Sequence, residues 1–232
     1  MKKLFLLAAT VFTLSQTANA QLYFGPEIGA TMSQLSFQND AAGFGTSSSS
    51  GLGVKIGGML EVPFSNHWYF QPGLFWDMRT SNASQTYLNN KANDYTWRIN
   101  SIELPVNFVL KTHQEGHHRL WFAVGGYASY GMGGRLENTD YNAVPYSYYA
   151  GETITLSNAI DYGGKNPSSL ARLDYGAQAN VAFEFPVGLF IRAGYSKGFA
   201  NRAPYSNLNY QSSSMSLTVG YIFGGNRNFI IP

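Results

Sequence analysis

The feature that most constrains this chain is an alternation of side-chain character with a period of two. In residues 170–185, Leu173, Tyr175, Ala177, Ala179, Val181, Phe183 and Phe185 share one parity, while Arg172, Asp174, Gly176, Gln178, Asn180 and Glu184 share the other. Successive side chains of a strand point to opposite faces, so this pattern fits a strand with one apolar and one polar face and does not fit a helix. The next segment repeats it, with Leu189, Ile191, Ala193 and Tyr195 opposite Arg192, Gly194 and Ser196. The tight link Pro186-Val187-Gly188 between them predicts a hairpin.

The same parity rule extracts further strands. Leu22, Phe24, Ile28, Ala30 and Met32 oppose Glu27 and Thr31, and Val54, Ile56, Leu60 and Val62 oppose Lys55 and Glu61. Trp68, Phe70, Leu74, Trp76 and Met78 oppose Gln71, Asp77 and Arg79, and Ile102, Leu104, Val106, Phe108 and Leu110 oppose Glu103 and Asn107. Residues 119–132 alternate poorly around Leu120, Phe122, Val124 and Tyr130, and a last strand sets Met215, Leu217, Val219, Tyr221 and Phe223 against Ser216, Thr218 and Gly220. The predicted fold is all-β, with eight strands. The links near 63–67, 111–118 and 186–188 are short, whereas 37–50, 81–95, 133–168 and 199–212 are long and rich in Ser, Asn, Gly and Tyr. Short and long links therefore alternate and collect at opposite ends of the sheet, as in outer-membrane barrels with short periplasmic turns and long extracellular loops.

Residues 1–20 read as a separate object. Lys2 and Lys3 precede an apolar run from Leu4 to Leu14, and Ala18-Asn19-Ala20 offers a small-x-small cleavage site before Gln21. The expected organisation is a signal peptide over 1–20 and one barrel domain over 21–232. The apolar run is too short to span a bilayer, and no later stretch reaches eighteen apolar residues. Without Lys2 and Lys3, 13 basic residues face 13 acidic ones, and no basic patch suggests nucleic acid. Cysteine is absent, which excludes disulfides, thiol catalysis and Cys-based metal sites.

Alternation would also arise in a soluble sandwich or a periplasmic lipocalin-like binding barrel, where the apolar face is the core. Three features favour the inverted arrangement. Only 12% of residues are charged, about half the usual share. The polar face carries Gly, Ser, Asn and Gln rather than Lys and Glu. Trp68 and Trp76 bracket one apolar strand face, and eight residues tilted at ~45° rise roughly 19 Å, somewhat short of the ~25 Å apolar band, as expected for rings reaching in from its borders. Tyr195 and Tyr221 join them as expected interfacial aromatics, while Trp97 and Trp121 fall on the inward parity. The inward polar set is then Glu27, Lys55, Glu61, Asp77, Arg79, Glu103, Arg172, Asp174, Glu184 and Arg192. An eight-stranded barrel is only wide enough to be filled by side chains, so these groups are expected to pair as a plug. A narrow pore is the competing reading.

Several motifs resemble the PorT-like outer membrane β-barrel family of Bacteroidota, small barrels of the OmpA and OmpX kind. They are Gly25-Pro26-Glu27-Ile28-Gly29-Ala30, Ile102-Glu103-Leu104-Pro105-Val106, and the run from Asp174-Tyr175-Gly176 to Gly198-Phe199-Ala200-Asn201. The resemblance implies an eight-stranded outer-membrane barrel, with some members accessory to protein secretion. The sequence departs from such barrels, which often end on an aromatic, in having Gly224 to Pro232 after Phe223.

Catalysis finds little support. His67, His113, His117 and His118 all fall in short turns, no Gly-x-Ser-x-Gly elbow is present, and Glu115 is the lone acid beside the histidine cluster. An outer-membrane lipid-modifying enzyme stays as an alternative; no cofactor or metal is expected. The expected partners are outer-membrane lipid and lipopolysaccharide, the barrel assembly machinery, and a protein at the extracellular loops. Tyr141, Tyr146, Tyr148 and Tyr149 in the longest loop are the candidate recognition residues, since tyrosine supplies contact area at low entropic cost.

Overall fold

The computed structural model describes residues 22–39, 44–87, 90–112, 117–140, 154–163, 169–203 and 208–224. Five long strands come first: β1 (Tyr23–Asn39), β2 (Phe44–Pro63), β3 (Trp68–Tyr87), β4 (Asn90–Lys111) and β5 (Arg119–Asp140). Three short ones follow, β6 (Ile154–Ala159), β7 (Asp161–Tyr162) and β8 (Ser169–Leu170), and then β9 (Leu173–Glu184), β10 (Leu189–Gly198) and β11 (Leu208–Tyr221). Strands β1 to β5 and β9 to β11 pair antiparallel in a ring, β5 with both β4 and β9, and β1 with both β2 and β11. This is a closed barrel of eight strands, which removes every sheet edge within its wall. Below the β1–β11 ladder, Phe24 and Phe223 exchange two backbone hydrogen bonds, at 3.0 and 2.7 Å.

The wall has apolar side chains outside and polar side chains inside. Ile28, Ile56, Leu74, Leu104, Val124, Val181, Leu217 and their neighbours are exposed, while Glu61, Gln71, Asp77, Glu103, Asn107 and Asp174 are buried. An exposed apolar belt that encircles the molecule belongs in hydrocarbon. The lipocalin-like soluble reading requires the opposite arrangement and is set aside. No helix among the described residues is long and apolar enough to cross a membrane.

Inward glycines let aromatic rings lie flat against the wall. Gly57 pairs with Phe75 and Gly220 with Phe190. A Cβ on Gly57 would stand 2.7 Å from the Phe75 ring, and one on Gly220 would stand 2.3 Å from the Phe190 ring. In the short link between β9 and β10, Gly188 adopts φ +96° and donates its N–H to Phe185, closing the turn at 2.9 Å.

The strands run further than alternation suggested. Much of 37–50 and 81–95, expected as long loops, is strand: β1 reaches Asn39, β2 starts at Phe44, β3 reaches Tyr87 and β4 starts at Asn90. Backbone pairing needs no apolar face, and here it continues with polar groups on both sides. Ser84 donates to Asp94 at 2.6 Å and Thr96 to Asn82 at 3.1 Å. In the 133–168 segment, β5 continues to Asp140 and pairs with β6. A strand crosses a bilayer with ~9–11 residues, so the 22 residues each of β4 and β5 carry a paired extension well beyond it.

Candidate functional site

Within the barrel, three charge clusters are stacked along the axis. At the short-turn end, Lys111 lies between Glu61 (2.7 Å) and Glu184 (3.2 Å), and Arg119 pairs with the other oxygen of Glu184. Trp121 donates its indole N–H to Glu184 at 2.8 Å. The Lys111 ammonium stands 3.9 Å above the Trp121 ring and 4.7 Å above that of Tyr69, a cation–π arrangement in a site closed to water.

In the middle, Arg192 grips Glu27 through Nε (3.0 Å to Oε1) and Nη2, and Thr218 also donates to Glu27. Gln71 joins this cluster to the one below. It accepts from Arg192 Nη1 at 3.0 Å and donates to Glu61 at 2.9 Å. Towards the long-connection end, Arg79 pairs with Asp77 (2.6 Å) and Glu103, and its Nη1 is 3.6 Å from Asp174. Lys55 reaches Glu103 at 2.6 Å, and Asp174 accepts from Ser212 at 2.5 Å and from Tyr127 at 3.3 Å.

Nine of the ten residues expected inside therefore meet in one lumen. Arg172 does not, which corrects the sequence-based expectation. It is exposed, in the bend before β9, and its guanidinium lies over the rings of Tyr130 (5.8 Å) and Tyr162 (5.1 Å). Parity holds only inside a regular strand, and β9 begins at Leu173. Parity reading also missed three buried cations. Lys111 was assigned to a turn and Arg119 opened a strand that alternates poorly, although each continues the inward parity of its strand, Lys111 after Asn107 and Arg119 before Trp121. Arg202, buried beside the upper cluster, shares a cavity wall with Arg79 and Ser212 and donates to the Ala171 carbonyl at 3.2 and 3.3 Å. No alternation marks its segment, and nothing in the sequence signalled it. With these three, the six acids Glu27, Glu61, Asp77, Glu103, Asp174 and Glu184 stand against Lys55, Arg79, Lys111, Arg119, Arg192 and Arg202, so the described lumen is balanced in charge.

Apolar plugs lie at both ends of this polar column. At the short-turn end, Tyr23, Met59, Tyr69, Val109, Trp121, Phe190 and Ile222 pack together, with the Trp121 and Phe190 ring centres 5.0 Å apart. At the other end Leu35, Trp97, Ile99 and Leu136 from the wall meet Ile160 and Leu170, which the β6–β8 segment folds over the mouth. Among the described residues, two cavities inside are about 10 Å³ each, the scale of one water molecule.

Outside, Trp68 and Tyr221 lie near the short turns, and Trp76 and Tyr195 lie higher on their strands, with Tyr130 and Tyr175 exposed beside them. His67, His117 and His118 are exposed at the short-turn end, where His118 stacks on Phe183 at 5.5 Å. No group of three potential metal ligands occurs among the described residues. Tyr141, Tyr146, Tyr148 and Tyr149 lie outside the described residues, as do Ala20 and Gln21.

Several solved structures have a similar arrangement. The attachment invasion locus protein Ail of Yersinia pestis is 13% identical, with 87% of this chain and 98% of that one covered at a TM-score of 0.41. The outer membrane protein OprG from Pseudomonas aeruginosa is 10% identical, with 88% and 96% covered and a TM-score of 0.49. Neisserial surface protein A is 10% identical, with 87% and 97% covered and a TM-score of 0.36. No curated protein matches the sequence. The family model for the outer membrane protein beta-barrel domain matches residues 14–203, most of the chain. With its closed wall and inverted polarity, the chain belongs to the outer membrane protein beta-barrel domain family.

Proposed function

We infer that this protein is a non-enzymatic, non-conducting scaffold of the outer membrane that presents a binding surface outside the cell. The observation that carries this reading is the sealed lumen. Balanced ion pairs fill the barrel between two apolar plugs, and the two lumen cavities lined by described residues are each of about one water's volume. The capacity for recognition then resides in the external part, where the paired strands β5 and β6 extend beyond the wall and are joined in sequence by the tyrosine-rich residues 141–153.

Replacing 141–153 with a Gly/Ser linker should leave the gel shift on boiling intact and abolish capture of the external partner. Undiminished capture would refute the assignment. A role accessory to protein secretion, suggested by the PorT-like motifs, predicts that disrupting the gene lowers the export of a defined set of proteins. The enzyme alternative predicts altered lipid A or phospholipid masses on expression, and unchanged spectra would dispose of it.

A further inference from the structure

The outer wall is not smooth. On β9, β10, β11 and β1, outward side chains form rows around the barrel. Val181, Ala193, Leu217 and Ala30 are neighbours in one row, and Ala179, Tyr195, Met215 and Met32 are neighbours in the next, towards the long-connection end. Alanines set between bulky residues leave an apolar groove of about 760 Å³. That volume lies within the ~300–1,000 Å³ typical of small-molecule sites.

The next row up holds Ala177, Lys197, Ser213 and Gln34. Lys197 faces outward, because its neighbour Ser196 turns inward to share a 2.7 Å hydrogen bond with Ser214. No described acidic group pairs with it. Two strand residues above Tyr195, at ~3.3 Å each and a tilt of ~45°, place Lys197 about 5 Å beyond the aromatic ring's anchor. Tyrosines of this belt sit at the headgroup boundary, so the ammonium lies at the depth of lipid phosphates.

We propose that the groove is a lipid site that takes an acyl chain of a phosphorylated glycolipid of the lipid A type, with its phosphate on Lys197. The long-connection end faces outward, so the groove opens to the outer leaflet, where that lipid resides. A second copy docked here about a two-fold axis would bring two Lys197 ammoniums to one interface, which like-charge repulsion opposes. A zwitterionic lipid has no net negative charge to offer.

The test is native mass spectrometry of detergent-purified protein given lipid A, phosphatidylglycerol or phosphatidylcholine at equal concentration. The wild type should retain lipid A. Lys197→Gln, which removes the charge, and Ala193→Leu, which fills the groove, should each lower retention at least tenfold while keeping the gel shift on boiling. Undiminished retention by either variant would overturn the site. Equal retention of phosphatidylglycerol would overturn the choice of lipid, and a two-copy species lost on Ala193→Leu would assign the groove to another chain.

Discussion

Gln71 shows how single residues hold the interior together. Its amide accepts from Arg192 on one side and donates to Glu61 on the other, so two charge clusters share one uncharged link. Gln71→Leu removes a hydrogen bond from each while leaving both ion pairs in place. It should cost about 1–3 kcal/mol in urea titrations of vesicle-inserted protein followed by tryptophan fluorescence. Arg192→Leu differs in kind, because it strands Glu27 without its guanidinium. Breaking one side of a buried pair costs about 3–5 kcal/mol, whereas removing both partners is far cheaper. The double variant Arg192→Leu with Glu27→Leu should therefore recover part of the loss in the same titration.

At the scale of elements, β5 best explains what the sequence could and could not disclose. Its outward face, with Leu120, Phe122 and Val124, is ordinary, yet its alternation reads poorly because Trp121, Ala123 and Tyr127 are apolar on the inward side as well. Trp121 and Ala123 face inward because the lumen needs an apolar plug at one end, and Tyr127 because its hydroxyl reaches Asp174, requirements set by strands distant in sequence. Lys111 and Arg119 were hidden for a related reason, since they stand where the strands meet a turn and the end of a strand carries no periodic mark. The inward ring of Glu27, Asp77, Glu103, Asp174 and Arg192 was legible because each lies between flanking apolar neighbours of opposite parity. The polar extensions of β1 to β4 were not legible, as pairing there proceeds with no apolar face to alternate. Val124, 62% exposed on the outward face, gives a direct check of polarity. Val124→Arg should cost about 2–4 kcal/mol if that face meets the bilayer midplane, measured against wild type in lipid vesicles. Conversely, replacing residues 82–96 with a tight turn should leave the gel shift on boiling unchanged, because those ladders stand beyond the membrane.

For the whole molecule, the two plugs act in series. Planar-bilayer recordings should show no steady conductance. Leu170→Asp, which disturbs the outer plug, should remain silent, because the cluster around Trp121 and Phe190 still closes the other end. A current from the single variant would show that the inner plug does not seal. The seam of the wall has a different consequence. Glu27 is registered with Gly220, so the earliest strand finds its permanent neighbour only when the last one arrives. Until then the growing sheet has two unsatisfied margins in a medium that offers them no water. A polypeptide cut short before β11 should thus be recognisable to periplasmic proteases as unfinished, whatever the quality of its remaining contacts.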